Sequence, residues 1–252
     1  MYCMKKKTFV ILGATSGIGN ALAQKLSSYG ARLILTGRDG HSLDMIASKI
    51  ATPKQVIKID VYSNGFEDLL TRELLLAKKS LGADTLNGGI YCAGISPLLP
   101  LRGITEEHIE QTFKINYTGA IIFSKILSSK SFRTDQDTSI VLVSSVRSQS
   151  GEKGLGVYGA SKAALEASAR AFSKELAPLG VRINCISPGW LDTKMNKDSS
   201  VIVDGLEEKM KQIHPLGLGS ANDISSAAAF LLSNDAKWIT GTNMVVDGGF
   251  LA

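Results

Sequence analysis

The chain has 252 residues, of which 44% are hydrophobic and 20% charged, and its net charge is +5 at pH 7. This composition is typical of a globular protein. The short lysine run Lys5–Lys7 has no second basic cluster beside it, which argues against a nucleic-acid-binding protein. No apolar stretch approaches the ~20 residues that a membrane span needs, and none follows the first lysines as in a signal peptide.

The three cysteines, Cys3, Cys92 and Cys185, are odd in number and far apart. They show no spacing with the three histidines that is typical of a metal site. This pattern predicts a reduced, intracellular protein. We therefore expect a cytoplasmic protein that binds no metal, no nucleic acid and no membrane.

Short runs rich in Val, Ile and Leu alternate along the chain with longer helical patterns. Because these runs are nearly continuous in apolar residues, they are typical of strands that are covered on both faces. The predicted strands are Thr8–Leu12, Arg32–Thr36, Gln55–Ile59, Gly89–Cys92, Ile140–Ser144, Val181–Ile186 and Asn243–Val246. The predicted helices cover residues 17–29, 41–50, 66–80, 106–131, 157–177 and 221–233.

Repeated β-α-β alternation predicts an α/β fold, namely a doubly wound parallel β-sheet (Rossmann-like) with helices on both faces. No Pro- or Ser-rich linker, low-complexity tract or repeat of fixed period divides the chain. We therefore expect a single domain over residues 1–252, with a substrate-covering loop at about 190–214.

The first predicted strand runs into the glycine-rich segment GATSGIG, which contains Gly13, Gly17 and Gly19. Glycines at the first β-α turn of a parallel sheet let the backbone approach a pyrophosphate, and the following helix N-terminus supplies free N–H groups. The spacing is G-x-x-x-G-x-G and not the G-x-G-x-x-G dinucleotide fingerprint. The turn therefore indicates a phosphate site, and a glycine turn without function is the alternative.

The second predicted strand ends in LTGRD, which places Gly37, Arg38 and Asp39 where the adenine ribose of a dinucleotide would lie. An arginine there accommodates the 2′-phosphate of NADP, whereas a carboxylate binds the ribose hydroxyls of NAD. Arg38 offers a planar, permanently charged fork. The segment favours NADP, and Asp39 keeps NAD as the less favoured alternative.

A tyrosine precedes a lysine by four residues in the segment GVYGASK, at Tyr158 and Lys162. On a helix, residues four apart share a face, so the ammonium group would favour the ionised phenol and lower its pKa. Such a pair suits the proton transfer that carbonyl reduction or alcohol oxidation requires. The spacing alone does not decide, since Tyr2 and Lys6 show it too and a plain helix start would explain it.

A series of segments in chain order resembles the short-chain dehydrogenase/reductase family, and the resemblance extends over nearly the whole chain. LGATSGIG is similar to the family's T-G-x-x-x-G-x-G turn, and KIDV, YCAGI and KINYTG are similar to the segments that follow in the family. VLVSSV places Ser145 thirteen residues before Tyr158, which is the family interval. YGASK, SPGWLDT and the C-terminal segment through VVDGG complete the resemblance, which is strongest to the branch of 3-oxoacyl-acyl-carrier-protein reductases.

The resemblance implies an oxidoreductase that transfers a hydride between NADP(H) and a carbonyl compound or secondary alcohol. It implies Tyr158 as the acid and base, Lys162 as its tuner, Ser145 as the orienter of the substrate oxygen and Asn116 as the holder of a water. The cofactor-binding residues that it implies are Gly13, Thr15, Ser16, Gly17, Ile18, Gly19, Arg38, Asp60, Val61, Cys92, Ala93, Gly94, Tyr158, Lys162, Pro188, Gly189 and Thr193.

The chain departs from the family pattern at positions that bear on the substrate. Acyl-carrier-protein reductases of the family tend to carry arginines before the fifth strand and after the Tyr-Lys helix, where this chain has 135–137 (DQD) and Leu179. Cys92 stands in place of the second Asn of N-N-A-G, and Leu218 replaces an arginine. A 3-oxoacyl-acyl-carrier-protein reductase is therefore an alternative, as is a dinucleotide-binding regulatory protein without turnover.

The expected assembly is a homotetramer, with a dimer as the second possibility. The family commonly builds tetramers through the Tyr-Lys helix, the helix before it and the last strand. Ala163, Ala167 and Ala171 would give the Tyr-Lys helix a small-residue face, and the chain ends in the apolar segment FLA. The substrate is expected to be a small molecule whose identity is not legible in the sequence.

Overall fold

Seven parallel strands form one sheet, and their order is β3-β2-β1-β4-β5-β6-β7. The structure, a computed structural model, describes residues 4–191 and 206–252. The strands are β1 Thr8–Leu12, β2 Arg32–Gly37, β3 Lys54–Lys58, β4 Gly88–Tyr91, β5 Thr138–Val143, β6 Val181–Pro188 and β7 Asn243–Val246. The doubly wound, Rossmann-like fold predicted from the sequence is confirmed.

Helices cover both faces of this sheet. They are α1 Gly17–Ser28, α2 Gly40–Ser48, α3 Phe66–Ser80, α4 Glu106–Phe113, α5 Gly119–Ser128, α6 Gly156–Leu176, α7 Leu206–Ile213 and α8 Ala221–Leu232. One apolar layer joins α1, α2 and α8 to the sheet, and the other joins α3, α5 and α6 to it. No helix in residues 4–191 and 206–252 is long and apolar enough to cross a membrane.

The side chains of β1 explain why the sheet is covered on both faces. Phe9 and Ile11 belong to the layer with α1 and α8, whereas Val10 and Leu12 belong to the layer with α3 and α5. Successive residues of a strand point to opposite faces, so a central strand needs an apolar side chain at every position. The continuous run TFVIL is fully buried for this reason.

The order of the strands reverses beside β1, which pairs with β2 on one side and β4 on the other. A crevice opens at such a switch point, outside the carboxyl ends of the strands. Leu12 pairs with Tyr91 in the sheet, so the residues that follow β1 and β4 emerge next to each other. This places the glycine turn beside Cys92, and the candidate site is built around that contact.

The predicted helix 106–131 is confirmed from residue 106 to residue 128, where it ends three residues early, but its middle turn is a π-helix. The structure has α4, then a π-helical segment Lys114–Thr118, then α5, which ends at Ser128. The side chain of Asn116 in the π-helical segment bonds the main chain of Ile95, a residue on the loop after β4. A π-bulge of this kind often marks a functional site.

Helix α7 was not predicted, and the limits of several strands move by one or two residues from those predicted. β6 continues through Pro188, whose missing N–H group is tolerated at the end of a strand. The residues 192–205 of the predicted substrate-covering loop lie outside the described part of the chain. The single-domain organisation stays a prediction.

Candidate active site

The glycine turn between β1 and α1 packs against the loop that follows β4. Gly13 has φ +90°, and a Cβ there would lie 2.7 Å from the Ala93 nitrogen. A Cβ at Gly19 would clash with the Gly13 carbonyl oxygen, so both positions require glycine. Ser16 caps α1 by accepting a hydrogen bond of 3.0 Å from the Gly19 N–H. The helix N-terminus therefore opens onto the crevice with N–H groups that no intrahelical carbonyl can satisfy.

Arg38 and Asp39, the two alternatives for contact with the adenine ribose, have different surroundings after β2. Asp39 caps α2, where its carboxylate accepts hydrogen bonds from the His41 N–H at 3.1 Å, the Ser42 N–H at 3.3 Å and the Ser42 hydroxyl. The Ser42 hydroxyl lowers the pKa of this carboxyl below its usual value. Arg38 is exposed. The carboxylate of Asp39 is thus engaged by its own helix, whereas the Arg38 fork faces solvent.

Thr15 and Gly37 bring the first two β-α turns together. Thr15 is exposed, and a Cβ at Gly37 would lie 3.2 Å from its methyl group and 3.3 Å from its hydroxyl oxygen. Any side chain at Gly37 would therefore enter the space beside the turn. The two turns therefore lie against each other at the crevice beside β1, which we call the groove.

The residues that follow β3 and β4 continue the floor of the groove. Asp60 accepts a hydrogen bond of 3.0 Å from the Tyr62 N–H, and Val61 is buried. Cys92 is half-buried, and its N–H donates to the Leu12 carbonyl over 2.7 Å. Gly94 lies between the cofactor side and the catalytic side, since a Cβ there would be 3.3 Å from Asn116 Oδ1 and 3.5 Å from Lys162 Nζ.

Asn116 is fully buried and holds the loop after β4 in place. Its Oδ1 accepts from the Ile95 N–H over 2.8 Å, and its Nδ2 donates to the Ile95 carbonyl over 2.9 Å and to the Ser161 hydroxyl over 3.0 Å. Both amide protons are therefore used, and Oδ1 keeps one lone pair. The side chain links α6 to the loop that follows β4.

Ser145, Tyr158 and Lys162 lie together at the carboxyl end of β5. Ser145 is 8% exposed, its Oγ accepts a hydrogen bond of 3.2 Å from the Arg147 N–H, and its hydroxyl acts on Tyr158 by lowering the pKa of the phenol. Lys162 Nζ donates to the Val143 carbonyl over 2.7 Å and lies 5.8 Å from the centroid of the Tyr158 ring. Ser145, thirteen residues before Tyr158, is thus the serine that acts on the Tyr158 hydroxyl. The Ser144 hydroxyl instead donates to Glu166 over 2.7 Å.

Burial dominates the acid–base properties of this cluster. It raises the pKa of the Tyr158 hydroxyl, and the Ser145 hydrogen bond and the Arg147 charge oppose that rise. The net shift is therefore opposite to the lowering that we expected from Lys162. Burial also lowers the pKa of Lys162 to about 8 and raises the pKa of the Cys92 thiol to about 12, because each of these sites disfavours the charged form.

Two further residues of the site were not found in the sequence. Glu166 lies one turn after Lys162 on α6, and one of its carboxylate oxygens is bonded by the hydroxyls of Ser144, Ser148 and Ser187. Arg147 follows Ser145 by two residues and acts on Tyr158 electrostatically. The four-residue spacing from Lys162 is a signal that could have identified Glu166. No comparable signal existed for Arg147.

The segment after β6 closes the far side of the groove. Gly189 packs against the C-terminal segment, since a Cβ there would lie 2.8 Å from Asp247 Cα and 3.0 Å from His214 Nε2. Pro188 precedes it as the last residue of β6. Thr193, which was predicted to contact the cofactor, lies outside the described residues.

The candidate site extends from the glycine turn to the cluster of Ser145, Tyr158 and Lys162. At Gly13 and Gly19 the chain's own main chain occupies the space of a Cβ, so both glycines are required by the packing of the turn itself. A glycine turn between the first strand and the first helix is typical of a pyrophosphate-binding site. A hydroxyl pair beside a buried ammonium group can orient a carbonyl oxygen and exchange a proton with it. In residues 4–191 and 206–252, no group of three or more His, Cys, Asp or Glu side chains could hold a metal ion.

Comparisons with known proteins agree over almost the full length of the chain. A family model described as enoyl-(acyl carrier protein) reductase matches residues 13–251. The chain is 31% identical to the 3-oxoacyl-(acyl-carrier-protein) reductase FabG of Aquifex aeolicus, over 98% of each chain. It is 28% identical to the NADP-dependent (R)-specific alcohol dehydrogenase of Lentilactobacillus kefiri, over 99% of this chain and 98% of that one.

A solved structure shares the fold closely. A short-chain dehydrogenase/reductase from Brucella melitensis, described as a glucose/ribitol dehydrogenase, superimposes with a TM-score of 0.89 at 31% identity. The superposition covers 99% of this chain and 98% of that chain.

Proposed function

Because the chain belongs to the short-chain dehydrogenase/reductase family and is an oxidoreductase of carbonyl and CH–OH groups, we propose that it reduces a small carbonyl compound with NADPH or catalyses the reverse oxidation. The observation that carries this proposal is the contact of the Tyr158 hydroxyl with Ser145 beside the buried Lys162. When bound, NADP(H) supplies or accepts the hydride.

Tyr158 is the acid in the direction of reduction and the base in the direction of oxidation. The Ser145 hydroxyl and the Tyr158 hydroxyl bind the substrate oxygen from the protein side, so that the proton of Tyr158 moves to the oxygen as it becomes an alkoxide. A positioned proton donor of this kind contributes about 10²- to 10⁴-fold to the rate. The Ser145 hydrogen bond stabilises the ionised tyrosine that results.

Lys162 and Asn116 support this proton transfer. The Lys162 ammonium group lies over the Tyr158 ring and beside Gly94, where it would reach the nicotinamide ribose. The free lone pair of Asn116 Oδ1 is available to a water that connects Lys162 to solvent. Both roles are those that the resemblance to the family implied.

The proposed cofactor is NADP, and the different positions of Arg38 and Asp39 support this choice. The carboxylate of Asp39 is engaged in capping α2, whereas the exposed Arg38 has no hydrogen bond or ion pair through its side chain in the part of the chain that the structure describes. A guanidinium group binds a 2′-phosphate through charge-assisted, often bidentate hydrogen bonds. The relative from Lentilactobacillus kefiri is also described as NADP-dependent.

The residues proposed to hold the cofactor follow the groove from one end to the other. The glycine turn would bind the pyrophosphate, Asp60 and Val61 the adenine, and the loop after β4 the nicotinamide half. The full set is Gly13, Thr15, Ser16, Gly17, Ile18, Gly19, Arg38, Asp60, Val61, Cys92, Ala93, Gly94, Tyr158, Lys162, Pro188, Gly189 and Thr193.

Reduction of a 3-oxoacyl thioester is the second candidate function, and the 31% identity to the Aquifex aeolicus reductase favours it. The surface where an acidic carrier protein would dock supports it less. Asp135 is fully exposed there, Leu179 is exposed, and the Asp137 carboxylate pairs with Lys7 at 2.5 Å. These residues offer the carrier no exposed arginine at the two predicted positions.

A turnover screen tests the proposal. NADPH consumption is followed with ketones, keto sugars, 3-oxoacyl thioesters and an enoyl thioester, the last because of the description of the family model. We expect turnover of one carbonyl class, and we expect Tyr158→Phe to lower it about 10²- to 10⁴-fold with cofactor affinity kept. Tyr62→Phe, at an exposed tyrosine, serves as the control. Parent-level turnover by Tyr158→Phe would contradict the assigned role.

The cytoplasmic location and the homotetramer stay predictions.

A further inference from the structure

Arg147 is a nearly buried cation that the roles assigned above do not use. It lies in the 3₁₀ turn Val146–Ser148 directly after Ser145, and its side chain is 9% exposed. Its carbonyl oxygen packs against Gly159, where a Cβ would approach to 2.6 Å. Gly159 immediately follows Tyr158, so the backbone of Arg147 is fixed against the first turn of α6.

The guanidinium group of Arg147 is held from several sides. Its central carbon lies 5.0 Å from the centroid of the Phe250 ring, which itself stacks on His214 at 4.9 Å. One terminal nitrogen pairs with a Glu152 carboxylate oxygen at 3.2 Å, and the other lies 3.4 Å from the Ser150 hydroxyl. These contacts hold the long side chain in one position, and the backbone N–H of Arg147 donates to Ser145 Oγ over 3.2 Å.

The ammonium group of Lys162 has other partners than the guanidinium group of Arg147. Its ammonium group donates to the Val143 carbonyl and lies over the ring of Tyr158. Burial brings the pKa of Lys162 down to about 8, so a rise in pH above this value removes the charge. An arginine side chain stays protonated throughout this range.

We propose that Arg147 is a positioning residue whose permanent, nearly buried charge favours the ionised form of Tyr158. The interaction is reciprocal, because Arg147 counteracts the rise in the pKa of Tyr158 and Tyr158 counteracts the fall in the pKa of Arg147. Glu152 weakens the effect, since its carboxylate partly neutralises the guanidinium group. The inference rests on the proposed function of Tyr158 as the acid and base.

Other titratable groups face this region from the surrounding elements. Glu166 is bonded by serine hydroxyls, His214 bonds the Met210 carbonyl through Nδ1 and the Trp190 N–H through Nε2, and Cys92 acts on Lys162. The residues to be kept unchanged in the test are therefore Lys162, Glu166, His214, Cys92 and Cys185. The substitutions that test the proposal are therefore confined to Arg147 and its partner Glu152, with one control residue in the same loop.

A fluorinated tyrosine incorporated at position 158 tests the proposal, because its fluorine NMR shift reports ionisation of that one hydroxyl. We expect Arg147→Met to raise the midpoint of this titration by about one pH unit, which is the lower end of the effect of a nearby opposite charge. Arg147→Lys should restore most of the parent midpoint. Glu152→Gln should lower the midpoint, because it removes the charge that offsets Arg147.

Lys153→Met is the matched control, since Lys153 lies in the same loop but is exposed and therefore screened by solvent. Its loss should leave the midpoint unchanged. An unshifted midpoint in Arg147→Met overturns the proposal. If Arg147→Met does not fold, an unshifted or raised midpoint in Glu152→Gln does so instead.

The titration needs no substrate, which separates this inference from the proposed function. Absence of turnover with every carbonyl class would overturn the function while the midpoints still report on Arg147. A different outcome is turnover that depends on Tyr158 while the titration midpoint is the same in Arg147→Met, in Glu152→Gln and in the parent. This outcome would overturn only the role of Arg147.

Discussion

At the residue scale, Arg38 and Asp39 are neighbours in the chain that act in different places. Asp39 gives both carboxylate oxygens to the first turn of α2, and such a cap stabilises a helix. Turning this carboxylate toward a ribose would forfeit the cap. The Arg38 side chain makes no hydrogen bond or ion pair within the described residues, and it is exposed after the end of β2.

The cofactor preference follows from this division. A hydrogen bond to a charged group contributes about 1.5–3 kcal/mol, so we expect kcat/KM to favour NADPH over NADH by about 10- to 100-fold or somewhat more. Replacing both Gly37→Asp and Arg38→Leu should reverse the preference, because a carboxylate beside Thr15 would repel the phosphate. Arg38→Leu alone should abolish the preference without creating one for NADH. Steady-state kinetics with both cofactors would contradict the assignment if the parent preferred NADH.

At the scale of elements, Glu166 joins three parts of the sheet edge that carry functional residues. Its carboxylate accepts hydrogen bonds from Ser144 at the end of β5 at 2.7 Å, from Ser187 near the end of β6 at 3.0 Å, and from Ser148 in the turn after Ser145. Glu166 itself is 8% exposed. A buried acceptor with three donors fixes these elements relative to one another.

Removing this carboxylate should be costly. We expect Glu166→Ala to lower the free energy of unfolding by about 1–3 kcal/mol, because the three hydroxyls lose a charged acceptor and keep only neutral ones, the carbonyls of Lys162 and Ser145 and Asn243 Oδ1. Glu166→Gln keeps an acceptor oxygen and should lose less than half as much. Urea denaturation measures both, with Glu175→Ala, at an exposed glutamate of α6, as the control. A loss in Glu166→Ala no larger than in the control would show that the carboxylate does not hold the elements together.

At the scale of the whole molecule, the buried charge of Lys162 links stability to pH. Burial lowers its pKa from 10.5 to about 8, so between these values the unfolded chain binds a proton that the folded chain does not. Folding stability then rises with pH across this window. Below pH 8 both states are protonated, and the folded protein carries the full cost of a buried charge.

Lys162→Met isolates this effect, because the other titrating groups are common to both proteins. The quantity to compare is the unfolding free energy of the parent minus that of Lys162→Met. We expect this difference to increase by about 3 kcal/mol between pH 8 and pH 10.5. Thermal or urea unfolding at a series of pH values measures the difference. A difference that stayed constant with pH, or that fell, would contradict the buried, charged Lys162.

The assembly is predicted from α6. Ala167 and Ala171 are exposed and Ala163 is half-buried, so this small-residue face is free of the chain's own packing. Phe250 differs from our expectation for the C-terminus, since its ring lies between Arg147 and His214 of the same chain. The helix therefore remains the better candidate for subunit contacts.

We expect a homotetramer in sedimentation velocity at micromolar concentration. Ala167→Arg should break the assembly into smaller species, because a long charged side chain cannot fit where helices approach closely. Ser48→Arg, on the exposed surface of α2 in the other layer, should leave it unchanged. A parent protein that sedimented only as a monomer would refute the prediction.

The sequence by itself determined the parallel sheet, the segments that form its strands and the position of the glycine turn. These features are local, because a run such as TFVIL followed by glycine is apolar at every position and leaves little choice but a central parallel strand ending in a turn. Tyr158 and Lys162 are likewise four residues apart on one helix, so their proximity follows from helix geometry.

Only the tertiary structure decided what the remaining groups touch. The predicted helix 106–131 contains a π-helical turn from which Asn116 bonds the main chain of Ile95, and Asp39 is engaged in a cap that its sequence position left open. Glu166 and Arg147 become part of the site through contacts with β6 and the C-terminal segment, which lie far away in the chain. Hydrogen bonds, burial and charge interactions of this kind depend on distances between elements, and periodicity along the chain carries no information about them.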